Sequence, residues 1–226
     1  MLELKNVSKK FEKKSFHKFH ISNISTNVFK NLNFKFNDKT IYYITGPNGS
    51  GKTTFLKIIA GYIIPDSGEV FLNDKLIAFD NYPYNIFSYI SESINFYPQI
   101  SALENILFFL KLRNIKKQIS EIKNISKIIS MTDEDLNKKF SELSSGNKLK
   151  CAIIKALLEN SKFILIDEGL ASLDNNSLSS VKKILLDEAK NGKIIIIAGH
   201  NIDKFSDISN YIFEIKNYNI SAFNFK

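Results

Sequence analysis

The chain is nearly without cysteine. Of its 226 residues only Cys151 carries a thiol, which excludes a disulfide framework and any cysteine-built metal site. Long hydrophobic runs are missing too. Apolar stretches such as Phe163-Ile164-Leu165-Ile166 and Ile194-Ile195-Ile196-Ile197-Ala198 suit buried strands and fall far short of the roughly 20 apolar residues a membrane-spanning helix needs. The opening Met1-Leu2-Glu3-Leu4-Lys5 lacks the apolar stretch of a signal peptide. These absences lead us to expect a cytoplasmic protein. Arginine is almost absent as well: Arg113 stands alone, so lysine carries nearly all the basic side of a net charge of +8. The same chain is rich in Asn, Ile, Phe and Tyr, which share A/T-rich codons with lysine, so coding bias explains the charge at least as well as a polyanionic partner does. Lysines cluster between Lys5 and Lys18, and attraction to a membrane surface stays open. No nucleic-acid partner is expected. With 44% hydrophobic and 24% charged residues the composition is that of an ordinary globular protein with a substantial core. There is no internal repeat and no low-complexity linker, so its pieces are expected to be subdomains of one domain.

What is present begins at residue 46. Gly46-Pro47-Asn48-Gly49-Ser50-Gly51-Lys52-Thr53 fills every fixed position of the phosphate-binding loop G-x-x-x-x-G-K-[ST]. An apolar strand, Ile41-Tyr42-Tyr43-Ile44, precedes it, and the helical pattern Thr54-Phe55-Leu56-Lys57-Ile58-Ile59-Ala60 follows. The glycines let successive backbone N–H groups turn toward a phosphate, and the helix N-terminus adds its partial positive charge. In this reading Lys52 reaches the β- and γ-phosphates and the Thr53 hydroxyl ligates Mg²⁺. The chain is expected to bind a nucleoside triphosphate.

Around the loop, Leu2–Val7, Leu32–Phe36 and Glu69–Leu72 alternate as half-buried strands, with turn signals at Asn37-Asp38-Lys39 and Pro65-Asp66-Ser67-Gly68. Ser101-Ala102-Leu103-Glu104 is a capping box heading an apolar helix through Ile106, Leu107, Phe109 and Leu110. A second helix near 119–130 places Ile122, Ile125, Ile128 and Ile129 at helical spacing. Helices near 146–159 and 176–190 alternate with strands at 162–166 and 194–198, which predicts a mostly parallel sheet. Tyr211–Ile215 reads as a last strand.

A second acidic element lies downstream of the loop. Phe163-Ile164-Leu165-Ile166-Asp167-Glu168 is an apolar run ending in two acids, which a buried parallel strand would deliver at the sheet edge where ligands bind. Asp167 would hold Mg²⁺, directly or through water. Glu168 would polarise a water for in-line attack on the γ-phosphate as a general base.

Between these two sites runs Leu143-Ser144-Ser145-Gly146-Asn147, a near match to the LSGGQ signature, and on it the chain resembles the ATP-binding subunit of an ABC transporter. Further marks of that family follow in order across essentially the whole length. Phe11 stands where the family places an adenine-stacking aromatic, although Phe16 or Phe19 could supply the ring, or Phe11 could belong to the core. Ala171-Ser172-Leu173-Asp174 resembles the D-loop, and His200 follows a strand where the family keeps a switch histidine.

The resemblance implies an ABC-type P-loop NTPase, an α/β fold with a mostly parallel RecA-like core sheet, an N-terminal antiparallel β portion and a helical subdomain. The core and β portion would take in 1–92 and 155–226, and the helical part 93–154. It implies ATP and Mg²⁺ as ligands, with Gly46 through Thr54 on the nucleotide. It also implies head-to-tail pairing with a second ATP-binding subunit, identical or not, in which Ser144 and the N–H groups near Gly146 cap the nucleotide held by the other. Asp174 would communicate across that dimer, or simply cap the helix that follows it. His200 would contact the γ-phosphate and position the attacking water. An integral membrane subunit would be the partner, with the chain peripheral on the inner face of the cell membrane. A soluble ABC ATPase of the cluster-assembly type, or an ATP-binding regulator that barely hydrolyses, is the alternative. No appended regulatory domain is expected after His200.

Three positions depart from the pattern. Glu92 occupies the place of the Q-loop glutamine and would bring an extra carboxylate to the metal. Gly169 replaces a usual proline and Asn147 a glutamine. Residues 12–27 make a longer link than usual.

Overall fold

A computed structural model describes residues 1–17, 20–91 and 95–223, with side chains outside 13–24. Glu92 therefore lies outside the described residues, as does Phe19, and the side chain of Phe16 is not described.

The chain opens with two long strands, β1 (Leu2–His17) and β2 (His20–Phe36), paired antiparallel from Leu2 opposite Phe36 to His17 opposite His20. The strands expected at 2–7 and 32–36 are thus the inner ends of a longer pair. Residues 12–17 and 20–27, read from sequence as part of a link, continue it. The sequence over 12–27 is mostly polar and its few apolar residues follow no strand period, so it gives no periodic signal, although the backbone pairing continues through it. β1 also pairs antiparallel with β4 (Ser67–Leu72), which turns back into β5 (Lys75–Leu76), giving the order β2-β1-β4-β5.

The second sheet runs β10-β9-β3-β8-β7-β6. Its members are β3 (Thr40–Thr45), β6 (Phe87–Ser91), β7 (Phe163–Asp167), β8 (Ile194–Ala198), β9 (Tyr211–Lys216) and β10 (Asn219–Ala222). Five are mutually parallel; β10 returns antiparallel to β9 through Asn217 and Tyr218, both at positive φ, as a two-residue hairpin turn of this hand requires. β3, β7 and β8 are buried on both faces, which is why they read as continuous apolar runs.

Each face of this sheet carries its own core. On one side α1 (Lys52–Ile59) and the first sheet pack against Tyr42, Ile44, Leu165 and Ile196. On the other, α2 (Ala102–Leu112), α3 (Ile119–Ile128), α4 (Asp133–Asn137), α5 (Ser145–Leu158) and α6 (Asn175–Lys190) share one cluster with Ile41, Tyr43, Ile164 and Ile195. The capping box of α2 is formed as expected, with Glu104 N–H donating to the Ser101 hydroxyl and Ser101 N–H to the Glu104 carboxylate. Of the isoleucines on α3, Ile122 is buried while Ile128 faces solvent. α4, which no apolar stripe announces, is held by a Thr132–Asp135 capping box and one buried side chain, Leu136.

Candidate nucleotide site

The C-terminal ends of β3, β7 and β8 meet at one edge, and the turn out of β3 is the glycine-rich loop. Helix α1 begins at Lys52 directly behind Gly51, which sits at φ 110 with no side-chain cap. Helices α2, α4, α5 and α6 are each capped by a Ser, Thr or Asp oxygen. The first N–H groups of α1 are thereby left for a ligand. Gly51 is required twice over: φ 110 is a glycine conformation, and a Cβ there would lie 2.5 Å from Val28 Cγ1.

Lys52, with its side chain only 5% exposed, donates to the carbonyls of Gly46 (3.0 Å) and Pro47 (3.3 Å). Burial lowers its pKa, and the nearby charges of Glu168 and Asp167 oppose that fall. Its ammonium lies 3.7 Å from Glu168 Oε1. His200 Nε2 is 2.9 Å from the same oxygen and 3.5 Å from Lys52 Nζ. One ring nitrogen cannot donate to a carboxylate and accept from an ammonium at once. The shorter contact decides: Nε2 carries the proton and donates to Glu168.

Glu168 reaches this position because its backbone is left-handed (φ 59), followed by Gly169 at φ 82. That second angle accounts for the departure at 169, since proline is fixed near φ −65° and cannot adopt it. Two consecutive residues at positive φ turn the chain sharply out of β7. The Glu168 N–H still donates to Ala198 O (2.9 Å), so the turn is anchored to β8.

The Thr53 hydroxyl donates to Asp167 Oδ1 (3.0 Å), and Tyr89 OH donates to Asp167 Oδ2 (2.8 Å). The loop and the acidic strand end are therefore in contact. These residues fit a triphosphate with a small hard cation. Ser50 Oγ is buried in the loop with no hydrogen-bond partner, and Thr53 and Asp167 present hydroxyl and carboxylate oxygens together. Among the described residues no group of three or more His, Cys, Asp or Glu side chains could hold a metal alone. Mg²⁺ takes one or two protein ligands and completes its shell with phosphates and water, so Thr53 and Asp167 would be enough protein oxygens to hold it.

The remaining residues singled out from sequence lie apart from this cluster. Phe11 is exposed on β1 opposite Thr26, on the same hairpin as Val28, which touches the loop at Gly51. Ser144 caps α5 by accepting from the Asn147 N–H (3.2 Å) and is exposed; Gly146 lies in the first turn of that helix. Asp174 caps α6, accepting from the N–H (2.9 Å) and hydroxyl (2.6 Å) of Ser177, and these bonds hold its carboxyl down at about 2. Lys150, nearly buried on α5, lies 3.4 Å from Asp174 Oδ2 and so joins the signature helix to the D-loop. Sequence reading did not single out Tyr89. Its only signal was a tyrosine two positions before the end of a strand that proves to neighbour β7.

Comparison with known proteins gives one family. The sequence profile described as ABC transporter matches residues 29–171. The chain is 34% identical over 184 residues to the cytochrome c biogenesis ATP-binding export protein CcmA of Reclinomonas americana, covering 80% of this chain and 82% of that one. It is 31% identical over 218 residues to the spermidine/putrescine import ATP-binding protein PotA of Mycoplasma capricolum, covering 94% of this chain but 58% of the longer relative. In fold it superposes on the dimeric, post-hydrolysis ATP-binding cassette MJ0796 bound to ADP and Pi, with a TM-score of 0.82, 23% identity and full coverage of both chains. The cbiO1 subunit of the cbiONQ transporter complex from Clostridium perfringens gives a TM-score of 0.73 at 22% identity, over 97% of this chain and 86% of that one. The chain belongs to the ABC transporter family, as one of its ATP-binding ATPase cassettes.

Proposed function

We propose that this chain powers an ABC transporter by pairing head to tail with a second ATP-binding subunit around two Mg-ATP. The observation that carries the reading is the convergence of Lys52, Glu168 and His200 within 3.7 Å of one another beside the phosphate loop. The Lys52 ammonium now rests on the Gly46 and Pro47 carbonyls and would exchange them for phosphate oxygens. Thr53 and Asp167 would hold Mg²⁺, which when bound neutralises charge on the β- and γ-phosphates. His200 fixes the Glu168 carboxylate through Oε1. The other oxygen of that carboxylate takes the proton from water as the water oxygen bonds to the γ-phosphorus and the bond to the leaving ADP oxygen breaks.

Glu168 and His200 are 37% and 41% exposed, so the reacting centre is open to solvent until something covers it. The segment Ser144–Gly146 of a second cassette has the right chemistry: a hydroxyl and helix N-terminal N–H groups. Phe11, exposed on the hairpin beside the loop, offers its ring to the adenine. The named relatives CcmA and PotA are export and import subunits, which favours a membrane partner over a soluble role. No described helix is long and apolar enough to cross a membrane, so the pathway would belong to that separate integral subunit, with this chain docked at its cytoplasmic face. Affinity purification of the tagged chain from detergent-solubilised membranes tests this. An integral multi-span protein should co-purify and raise ATP turnover; recovery from the soluble fraction alone would favour a soluble ABC ATPase.

A further inference from the structure

β6 runs parallel to β7, with Tyr89 opposite Leu165 and Ser91 opposite Asp167. Side chains two apart on a strand share a face, so Tyr89, Leu165 and Asp167 all project toward the α1 side of the sheet. Tyr89 sits two residues short of the strand end, and the length of its phenol makes up the difference. Its hydroxyl meets Asp167 Oδ2 at 2.8 Å while Thr53 holds Oδ1 at 3.0 Å. Each oxygen of the carboxylate thus has its own donor, from a different element, and rotation about the Cβ–Cγ bond is blocked from both sides. The ring is steadied in turn by Tyr62, edge-on at 5.5 Å.

Burial does not force this bond. The residues Thr53, Tyr62, Tyr89 and Asp167 border an open cavity of about 360 Å³, in which water could serve a phenol equally well. The bond's directed geometry therefore has another consequence. We infer that Tyr89 is a positioning residue of the metal site: by holding Asp167 Oδ2 it orients the carboxylate and sets the affinity for the divalent cation that accompanies ATP. A Thr53 hydroxyl that ligates a cation through its lone pairs can still donate to Oδ1, so the two donors remain compatible with a loaded site.

This inference rests on the nucleotide site proposed above, and the test separates the two. Tyr89→Phe keeps the ring and its packing while removing one hydroxyl. Mn²⁺ is titrated into protein saturated with a non-hydrolysable ATP analogue, and free Mn²⁺ is read by electron paramagnetic resonance. Binding of the analogue in EDTA and the melting temperature of the nucleotide-free protein are measured alongside. We expect Mn²⁺ to bind about tenfold more weakly to the variant, as suits loss of one hydrogen bond to a charged group, with analogue binding in EDTA unchanged. Equal Mn²⁺ affinity in parent and variant would overturn the role of Tyr89 and leave the site intact. An equal loss in EDTA would overturn it too, by showing that the residue acts on the nucleotide or the fold. Failure of the parent itself to bind Mn²⁺ with the analogue would sink the site reading and this inference with it.

Discussion

The one arginine of the chain makes three contacts that a lysine could reproduce only in part. Arg113 ends α2, and its guanidinium donates from Nη1 to Phe87 O and from Nη2 to Tyr84 O, both at 3.1 Å. It also meets Glu159 Oε2 at 2.8 Å. Glu159, whose side chain is 1% exposed, accepts further from Lys155 (2.9 Å) and the Ser88 hydroxyl (2.6 Å). The group ties α2 and α5 to the start of β6, the strand that carries Tyr89. Arg113→Ala removes one of three donors from a buried carboxylate and leaves two carbonyls to find water. Stranding such a charge entirely costs about 3–5 kcal/mol, and the two surviving donors reduce that, so we expect a loss of about 2–3 kcal/mol. Arg113→Lys keeps the charge but cannot span both carbonyls and the carboxylate, and should lose about 1 kcal/mol. Urea denaturation with unchanged slope measures both, and the melting temperature should fall by about 4–12 °C for Arg113→Ala in a chain of this size. A loss below about 0.5 kcal/mol for Arg113→Ala would mean that desolvation cancels the pair, and would refute the reasoning.

Cys151 is fully buried and its thiol is pushed up to about 12, so labelling by a thiol reagent at pH 8 should follow global unfolding; rapid labelling of the native protein would contradict this. Gly169→Ala should cost about 1–3 kcal/mol, the strain of an alanine held at positive φ, whereas Gly169→Pro should cost more and abolish turnover, measured by denaturation and phosphate release. Asp174 titrates near 2 when folded and near its ordinary 3.8 when unfolded, so its charge stabilises the fold above about pH 4 and that contribution is lost as pH falls through 2. The stability difference between the parent and Asp174→Asn, followed in acid titrations, should therefore change between pH 4 and 2 and be flat above.

The elements fixed by local chemistry were legible in the sequence. The phosphate loop, the Ser101–Glu104 cap and the apolar runs of β3, β7 and β8 lie where their residues indicate, because burial on both faces and side-chain capping leave direct marks. The partners of Lys52 were less so. That Glu168 and His200 share a contact depends on β7 and β8 lying side by side and on the left-handed turn at Glu168, which a glutamate does not advertise. The outer half of the β1–β2 pair was hidden because the apolar residues scattered over 12–27 follow no strand period. Tyr89 was hidden for a third reason: strand order, not sequence spacing, brings it to Asp167.

The most direct test of the account is the turnover of Glu168→Gln. The amide keeps the shape of the side chain but cannot take a proton from water. ATP hydrolysis should fall by about 10²–10⁴, the contribution of a positioned base, while ATP binding stays nearly intact and ATP-bound dimers accumulate on size exclusion. Hydrolysis at the parent rate would contradict the account, because the cluster of Lys52, Glu168 and His200 would then not be the centre that activates water.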